Sequence, residues 1–352
     1  EGNLKSQLRS EILAQSSDID QNSLDILVEQ RYQSFVETNG AEIAAQSKQL
    51  SQTIKDYYQD ADGQTYLLAI DPYHYYRQAG NIIENGHVGD ELVDGKPLDN
   101  HMLAPNGRPV SNSFHPWIGA TMHQISQFFG NDSLSKTMFI LPLIFAALSI
   151  IPAFFMTRKI AGNMGGFIAA LVVAIHPTFL GRTPAGFSDT DAYAVFFPLM
   201  VIWLFLESFT AIKAKNKYLL GGLAGLFTGI FAFAWTGWWY IFDVLLGSLV
   251  VYFIYLFIKY KGAVFKKLKT KNMLKTAAAY LVSSVLFVSI LSGFSNFINA
   301  IKGPLTIFFL KSAAHETLWP NVYTTVAELN AVSMTQVISA LSGKIFFGLA
   351  TL

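Results

Sequence analysis

Apolar side chains recur at helical spacing near the start of the chain. Leu24, Leu27, Val28, Tyr32, Phe35 and Val36 form one stripe, and Ile43, Leu50, Ile54 and Tyr57 form a second after Asn39 and Gly40. The spacing predicts a soluble helical hairpin within 1–65, turning at Asn39 and Gly40. The opposite faces are acidic and polar rather than lysine-rich, which favours a solvated pair over one lying on a membrane. Next, Tyr66 to Ile70 reads as a strand leading into a helix with Asp71 as N-cap and Pro72 at its first position.

From residue 137 the pattern changes to apolar runs near the roughly 20 residues needed to cross a bilayer. They fall at 137–157, 164–181, 192–211, 218–235, 238–258 and 276–298, with a partial run from 345. The expected fold class is an all-α polytopic membrane protein. Composition agrees: of 352 residues 52% are hydrophobic and 14% charged, against about 25% charged in an average soluble domain. The chain has no cysteine, so thiolate metal sites and cysteine nucleophiles are excluded and any metal must use oxygen or imidazole ligands. A net charge of +1 gives no electrostatic basis for a nucleic-acid partner.

The charges are unevenly placed. Residues 1–136 hold 18 of the 24 acids. The connections around Arg158 and Lys159, around Lys213, Lys215 and Lys217, and from Lys259 to Lys275 carry twelve bases and no acid. The positive-inside rule makes these connections cytoplasmic. The helical hairpin (1–65), as an extracytoplasmic insertion, the first external loop (66–136), the segment 182–191 between spans, the short turn 235–239 and the loop 299–344 are then expected outside, in a chain that spans the membrane over 137–298 and again from 345–352. A chain starting at Glu1 and stopping at Leu352 reads as part of a longer protein, with a leading transmembrane helix expected upstream.

Only six acids remain for the apolar half, where charge is costly, and four of them lie in the expected outer loops. Asp189 and Asp191 flank Thr190 at the mouth of a span. One reading is an N-cap with a dipole-favoured acid in the first turn. The other is a divalent-cation site, because hard ions such as Mn2+ or Mg2+ take carboxylate oxygens. Asp71 would add a third anionic ligand from the same side, with His74 and Arg77 following on its helix. Glu328 follows Thr325 in a loop that shares that side.

Three ordered motifs carry a family resemblance: Asp-Pro-Tyr-His-Tyr-Tyr-Arg at 71–77, Gly181-Arg182-Thr183 leading to Gly186-Phe187-Ser188-Asp189-Thr190-Asp191, and Thr325-Val326-Ala327-Glu328. In these the chain resembles the catalytic subunit of oligosaccharyltransferase, the STT3/PglB group, and most its archaeal AglB branch. The resemblance implies a GT-C type glycosyltransferase transmembrane domain with long external loops. It implies that Asp71, Asp189, Asp191 and Glu328 hold Mn2+ or Mg2+, that Asp71, Asp189 and Glu328 are catalytic, and that Arg182, Thr325 and His74 contact substrate. The implied partners are a lipid-linked oligosaccharide on a polyprenyl (dolichyl) phosphate or pyrophosphate, membrane lipids, and an acceptor polypeptide with Asn-x-Ser/Thr. The implied reaction is inverting transfer to the Asn amide on the extracytoplasmic face. The family's thirteen spans and C-terminal sequon-reading domain exceed what this chain contains, so transfer is expected only from a longer protein.

Two alternatives stay open. One is another polyprenyl-phosphate-sugar-dependent GT-C glycosyltransferase acting on lipids or hydroxyls. The other is a cation transporter, which would instead place its acids near the midplane of broken helices. Trp235, Trp238, Trp239 and Tyr240 read as an interfacial aromatic belt. Phe114-His115-Pro116-Trp117 reads as the start of an interfacial helix, and Asn131-Asp132-Ser133 is a sequon too close to the membrane to be modified.

Overall fold

The computed structural model describes residues 2–16, 19–103, 105–307 and 333–340. It divides into two units, Glu1–Tyr66 and Leu67–Leu352.

The first unit pairs α1 (Gly2–Gln15) with α2 (Gln21–Tyr58). Ile12 packs against Leu24 and Val28, and Lys5 to Glu29 (2.9 Å) and Arg9 to Asp25 (3.0 Å) close the flanks. The reversal therefore lies between Gln15 and Gln21, not at Asn39 and Gly40, which sit inside α2. Asp20 explains the choice: its carboxylate accepts from the Asn22 and Ser23 N–H groups and caps α2. An interior glycine costs a helix only about 1 kcal/mol, and Asn39 spends its amide on the Phe35 carbonyl.

In the second unit α3 (Ile70–Asn85) is followed by a small antiparallel sheet, β1 (Glu91–Val93), β2 (Lys96–Asp99) and β3 (Arg108–Pro109), and by α4 (Phe114–Gln127). The apolar half comprises α5 (Leu134–Ile175), α6 (Pro177–Arg182), a 3-10 turn (Thr190–Ala192), α7 (Tyr193–Thr210), α8 (Ala214–Ala234), α9 (Trp239–Tyr260), α10 (Leu268–Ser292) and α11 (Phe294–Ile307). Among the described residues, five helical stretches are long and apolar enough to cross a membrane.

The longest, α5, is not one rod. Ala161 and Gly162 leave helical geometry, Gly162 at φ 72, and a Cβ on Gly166 would meet the Phe154 carbonyl oxygen at 2.8 Å. Residues twelve apart touch only if the chain doubles back, since a straight helix would separate them by about 18 Å. The reversal accounts for the two runs at 137–157 and 164–181. The second arm stops at Ile175, because Pro177 cannot continue it, and a short separate helix carries Arg182. The last run is displaced too: α10 begins at Leu268 and ends at Gly293 (φ 89), where the chain enters α11 rather than a loop.

Glycines fix how α8 meets α10. A Cβ on Gly221, Gly225 or Gly229 would lie 3.0 Å or less from Ala279, Ser283 or Phe287 respectively. The Ser283 hydroxyl donates across the contact to the Gly222 carbonyl at 2.6 Å. In an apolar solvent such spacing lets backbones approach and polar groups pair. An aromatic cluster completes the core. Phe114 sets its edge against Phe145, Tyr193 and Phe197 at 5.9, 5.2 and 5.5 Å, which pulls the start of α4 inward. Thus α4 buries His115, Pro116, Gly119, Ala120 and His123 along one face.

Lys159 and Glu207 form an ion pair at the end of the bundle where α5 reverses. At the opposite end Trp238 is fully buried and donates to Asn296 Oδ1 at 3.5 Å. The belt reading of that residue therefore fails: the turn between α8 and α9 folds inward, so the indole fills core and satisfies its N–H there.

Candidate active site

Two loops meet beyond this second end. Gly186 joins them through its backbone: its N–H donates to the Phe139 carbonyl at 2.7 Å, and its carbonyl accepts the Leu68 N–H at 3.0 Å. Its φ of +92 favours glycine, and a Cβ would strike the Phe139 ring at 2.7 Å and Leu68 at 3.0 Å. Gly186 thus ties the Asp-Thr-Asp segment to the residues that open α3. We expect Gly186→Ala to lose roughly 1–3 kcal/mol from backbone strain plus a packing term. Gly130→Ala is the control, because Gly130 has φ +81 with open space around it. Melting temperatures should fall further for the Gly186 variant, and equal shifts would remove any role for its contacts.

Asp189 caps the 3-10 turn, its Oδ1 accepting the Thr190 N–H at 2.6 Å, and Asp191 lies in the first turn. The capping geometry and the close spacing of the carboxylates therefore coexist. Asp71 is not an N-cap: Ala69 holds that position and Asp71 sits in the first turn of α3. Pro72 is tolerated two residues further in than expected, at the third helical position, because the first four helical N–H groups have no intrahelical acceptor.

Tyr75 senses the charge of these acids. Its hydroxyl is pushed up to about 12, first by burial and then by the negative charges of Asp189 and Asp71, with Asp191 adding to them, while a hydrogen bond with Thr190 opposes the rise. Three carboxylates from two remote segments thus act on one phenol. Arg182 reaches the same place: its Nε lies 2.9 Å from Asp191 Oδ2 and its guanidinium stands 5.2 Å from the centre of the Phe187 ring. Glu328 and Thr325 lie outside the described residues.

His74 faces a different group. Its Nε2 is 2.7 Å from the Gln78 amide nitrogen and its Nδ1 is 3.7 Å from Asp99. Burial lowers its pKa, Asp99 opposes, and Arg77 lowers it further. Asp90, Asp99 and His101 bring one ligand atom each within 4.8 Å of one another, a grouping of the kind that could hold a metal ion. A cation is already there. Arg77 Nη1 contacts both Asp90 oxygens at 2.7 and 2.6 Å, and Nη2 reaches Asp99 at 2.5 Å. Burial works against the Asp90 charge, yet hydrogen bonds from Asn81, the Asn100 N–H, Arg77 and His101 hold it down to about 2. This cluster fastens the small sheet to α3, whereas the acids around Tyr75 offer hard oxygen donors that suit a divalent ion.

Beside Tyr75 and Thr190 opens a cavity of about 410 Å³, also lined by Asn112, Trp235, Ser292 and Asn296. It offers amide and hydroxyl groups next to an indole. Sequence reasoning did not find Tyr75, Gly186 or Trp235 as parts of the site: Tyr75 and Gly186 each neighbour one acid along the chain, but their links to the other acidic motif, and the place of Trp235 beside them, exist only in the tertiary fold. Asn131, the sequon asparagine, spends its amide nitrogen on Ser126 and Thr137, each at 3.2 Å.

Comparison with known proteins adds the following. The family described as "Oligosaccharyl transferase STT3, N-terminal" matches residues 35–352. A dolichyl-phosphooligosaccharide-protein glycotransferase of Methanococcus voltae is 31% identical over 313 residues, covering 82% of this chain and 34% of its own. The protein of that name from Methanocaldococcus jannaschii is 28% identical over 363 residues, covering 78% of this chain and 38% of its own. The chain therefore spans about a third of the length of the curated relatives it matches. Among solved structures, the archaeal oligosaccharyltransferase AglB from Archaeoglobus fulgidus, in complex with an inhibitory peptide and a dolichol-phosphate, superposes with a TM-score of 0.52 at 17% identity. It covers 82% of this chain and 33% of that one, a likeness of fold.

Proposed function

Because the chain belongs to the oligosaccharyl transferase STT3 family, we propose that its acidic end transfers a preassembled oligosaccharide to protein. The donor is a polyprenyl (dolichyl) phosphate or pyrophosphate carrier, and the acceptor is the side-chain amide of Asn in Asn-x-Ser/Thr. The reaction depends on Mn2+ or Mg2+ and inverts the anomeric carbon. The observation supporting this reading is that the charges of Asp71, Asp189 and Asp191 all act on the Tyr75 hydroxyl, beside a cavity with polar and aromatic walls. The acidic end faces outside the cell and the lysine-rich end faces the cytoplasm.

An asparagine amide is a poor nucleophile because its nitrogen lone pair is delocalised into the carbonyl. Carboxylate oxygens of Asp71 and Glu328 accept its two N–H hydrogens, weaken that conjugation and aim the nitrogen at the anomeric carbon. The new C–N bond forms as the C–O bond to phosphate breaks. Its electron pair leaves on the phosphate oxygen, and one amide proton passes to a carboxylate or to water. Asp71, Asp189, Asp191 and Glu328 would hold the divalent ion, which when bound offsets charge on the departing phosphate. Arg182 keeps Asp191 oriented through their ion pair, and His74 and Thr325 complete the substrate contacts.

The test uses a protein of the relatives' full length in lipid, with a dolichyl-linked oligosaccharide and a labelled Asn-x-Thr peptide. Glycopeptide should form with Mn2+ or Mg2+, and should disappear when a chelator is added or the Asn is changed to Gln. No glycopeptide under any of these conditions would overturn the reading.

A further inference from the structure

We propose that His115 is a positioning residue that locks the two acidic motifs into a single geometry, an inference that rests on the transfer reading above. His115 has no solvent exposure and uses both ring nitrogens. Nδ1 is 2.7 Å from the Tyr193 hydroxyl and Nε2 is 3.1 Å from Ser188 Oγ. Its ring centre stands 4.8 Å from the Tyr75 ring centre, with the two planes inclined at 65°. These three neighbours flank the acids: Ser188 immediately precedes Asp189, Tyr193 follows Asp191 by two positions, and Tyr75 lies one helical turn beyond Asp71. One buried imidazole therefore touches both sides of the second acidic motif and the helix that presents the first.

Burial lowers the imidazole pKa to about 3, against an opposing hydrogen bond with the Ser188 backbone, so the ring is neutral. A neutral imidazole has one N–H and one lone pair, so the Ser188 and Tyr193 hydroxyls must take opposite roles, one donating and one accepting. An apolar side chain of similar volume fills the space but fixes neither hydroxyl. Metal sites show the scale of such effects: loss of a group that orients a ligand typically weakens binding about 10- to 100-fold. His123, two turns further along α4, provides an internal control. It is also buried, at 5% exposure, and pairs with Thr137 at 3.4 Å, away from the acids.

The experiment measures Mn2+ affinity, from the spectroscopic signal of free Mn2+, together with the metal-free melting temperature, in the protein at its relatives' full length. H115F should weaken Mn2+ binding at least about 10-fold, and H115Q, whose amide reaches toward the Nε2 position, should recover most of it. H123F should lower the melting temperature while leaving Mn2+ affinity within about twofold. Wild-type affinity in H115F, or equal losses in H115F and H123F, would overturn the proposal. If H115F does not fold, H115N carries the test, since its shorter amide keeps the Tyr193 contact but gives up Ser188, and unchanged affinity there overturns the proposal as well. Asp71→Ala and Asp189→Ala separate the two levels. If both bind Mn2+ like the wild type, the metal-site reading itself fails; if both lose it while H115F retains it, only the role of His115 fails.

Discussion

Asp71→Ala and Asp189→Ala, each made in a protein of the relatives' full length, are expected to lower turnover roughly 100- to 10,000-fold, the range for a positioned acid-base group or charge stabiliser. The larger claim concerns the pair. If both carboxylates serve one ion and one acceptor amide, the first substitution already dismantles the arrangement, and the double variant should be little worse than the weaker single one. Independent sites would instead multiply their losses, on the order of 10,000-fold or more. Single-turnover glycopeptide formation at saturating Mn2+, compared across the four proteins, decides between these outcomes. Multiplying losses would sink the shared site. The Arg77 cluster supplies the contrast: it is acidic and near α3, but its carboxylates are already satisfied by a guanidinium. Asp90→Asn should therefore act on stability and spare the Mn2+ dependence.

Some of this was legible in the sequence for a physical reason. In lipid each backbone polar group must be satisfied within the segment, so a spanning helix declares itself as a long apolar run, and α7, α8 and α9 fall near their expected positions. The acids were legible because charge is rare there, and Asp189 and Asp191 stand out against a nearly uncharged background. What failed was local punctuation. Asn39 and Gly40 look like a turn, yet a helix already committed to packing at Leu24 and Val28 runs through them, and the cap at Asp20 sets the reversal. Asp71 looks like a cap because Pro72 follows it, but the first turn accepts proline at several positions.

Trp238 was misread because a tryptophan near the end of a span has two stable environments, the membrane interface and a buried pocket with a partner for its N–H. Nothing local distinguishes them. Here the acceptor is Asn296, 58 residues away. The same limit hid Tyr75 and Gly186, whose roles arise from contacts across more than a hundred residues of chain in the first case and from a loop-to-loop backbone bridge in the second. Residue types that carry charge announce themselves, whereas residues that arrange the charge do so only once the fold exists.

The largest effect on folding is expected at Gly225. A Cβ there would lie 2.5 Å from Ser283 Cβ, 2.6 Å from its Oγ and 2.6 Å from the Ser284 backbone nitrogen. A flexible side-chain tip could swing aside, but a backbone nitrogen inside α10 cannot, so the two helices must separate. Separation would also stretch the bond from Ser283 to the Gly222 carbonyl, which has no water to replace it. Overpacking of a tight core commonly costs about 1–3 kcal/mol, and for Gly225→Leu the upper part of that range applies because the obstruction is main chain. Gly222→Leu, one turn away on the same helix with nothing within 4 Å of its Cβ position, should be near neutral. Thermal unfolding in detergent, followed by the burial of Trp238, should separate the two by at least several degrees. Matching melting points would show that the glycine stripe does not set the spacing of α8 and α10, and with it the distance between the two halves of the bundle that carry the acidic end.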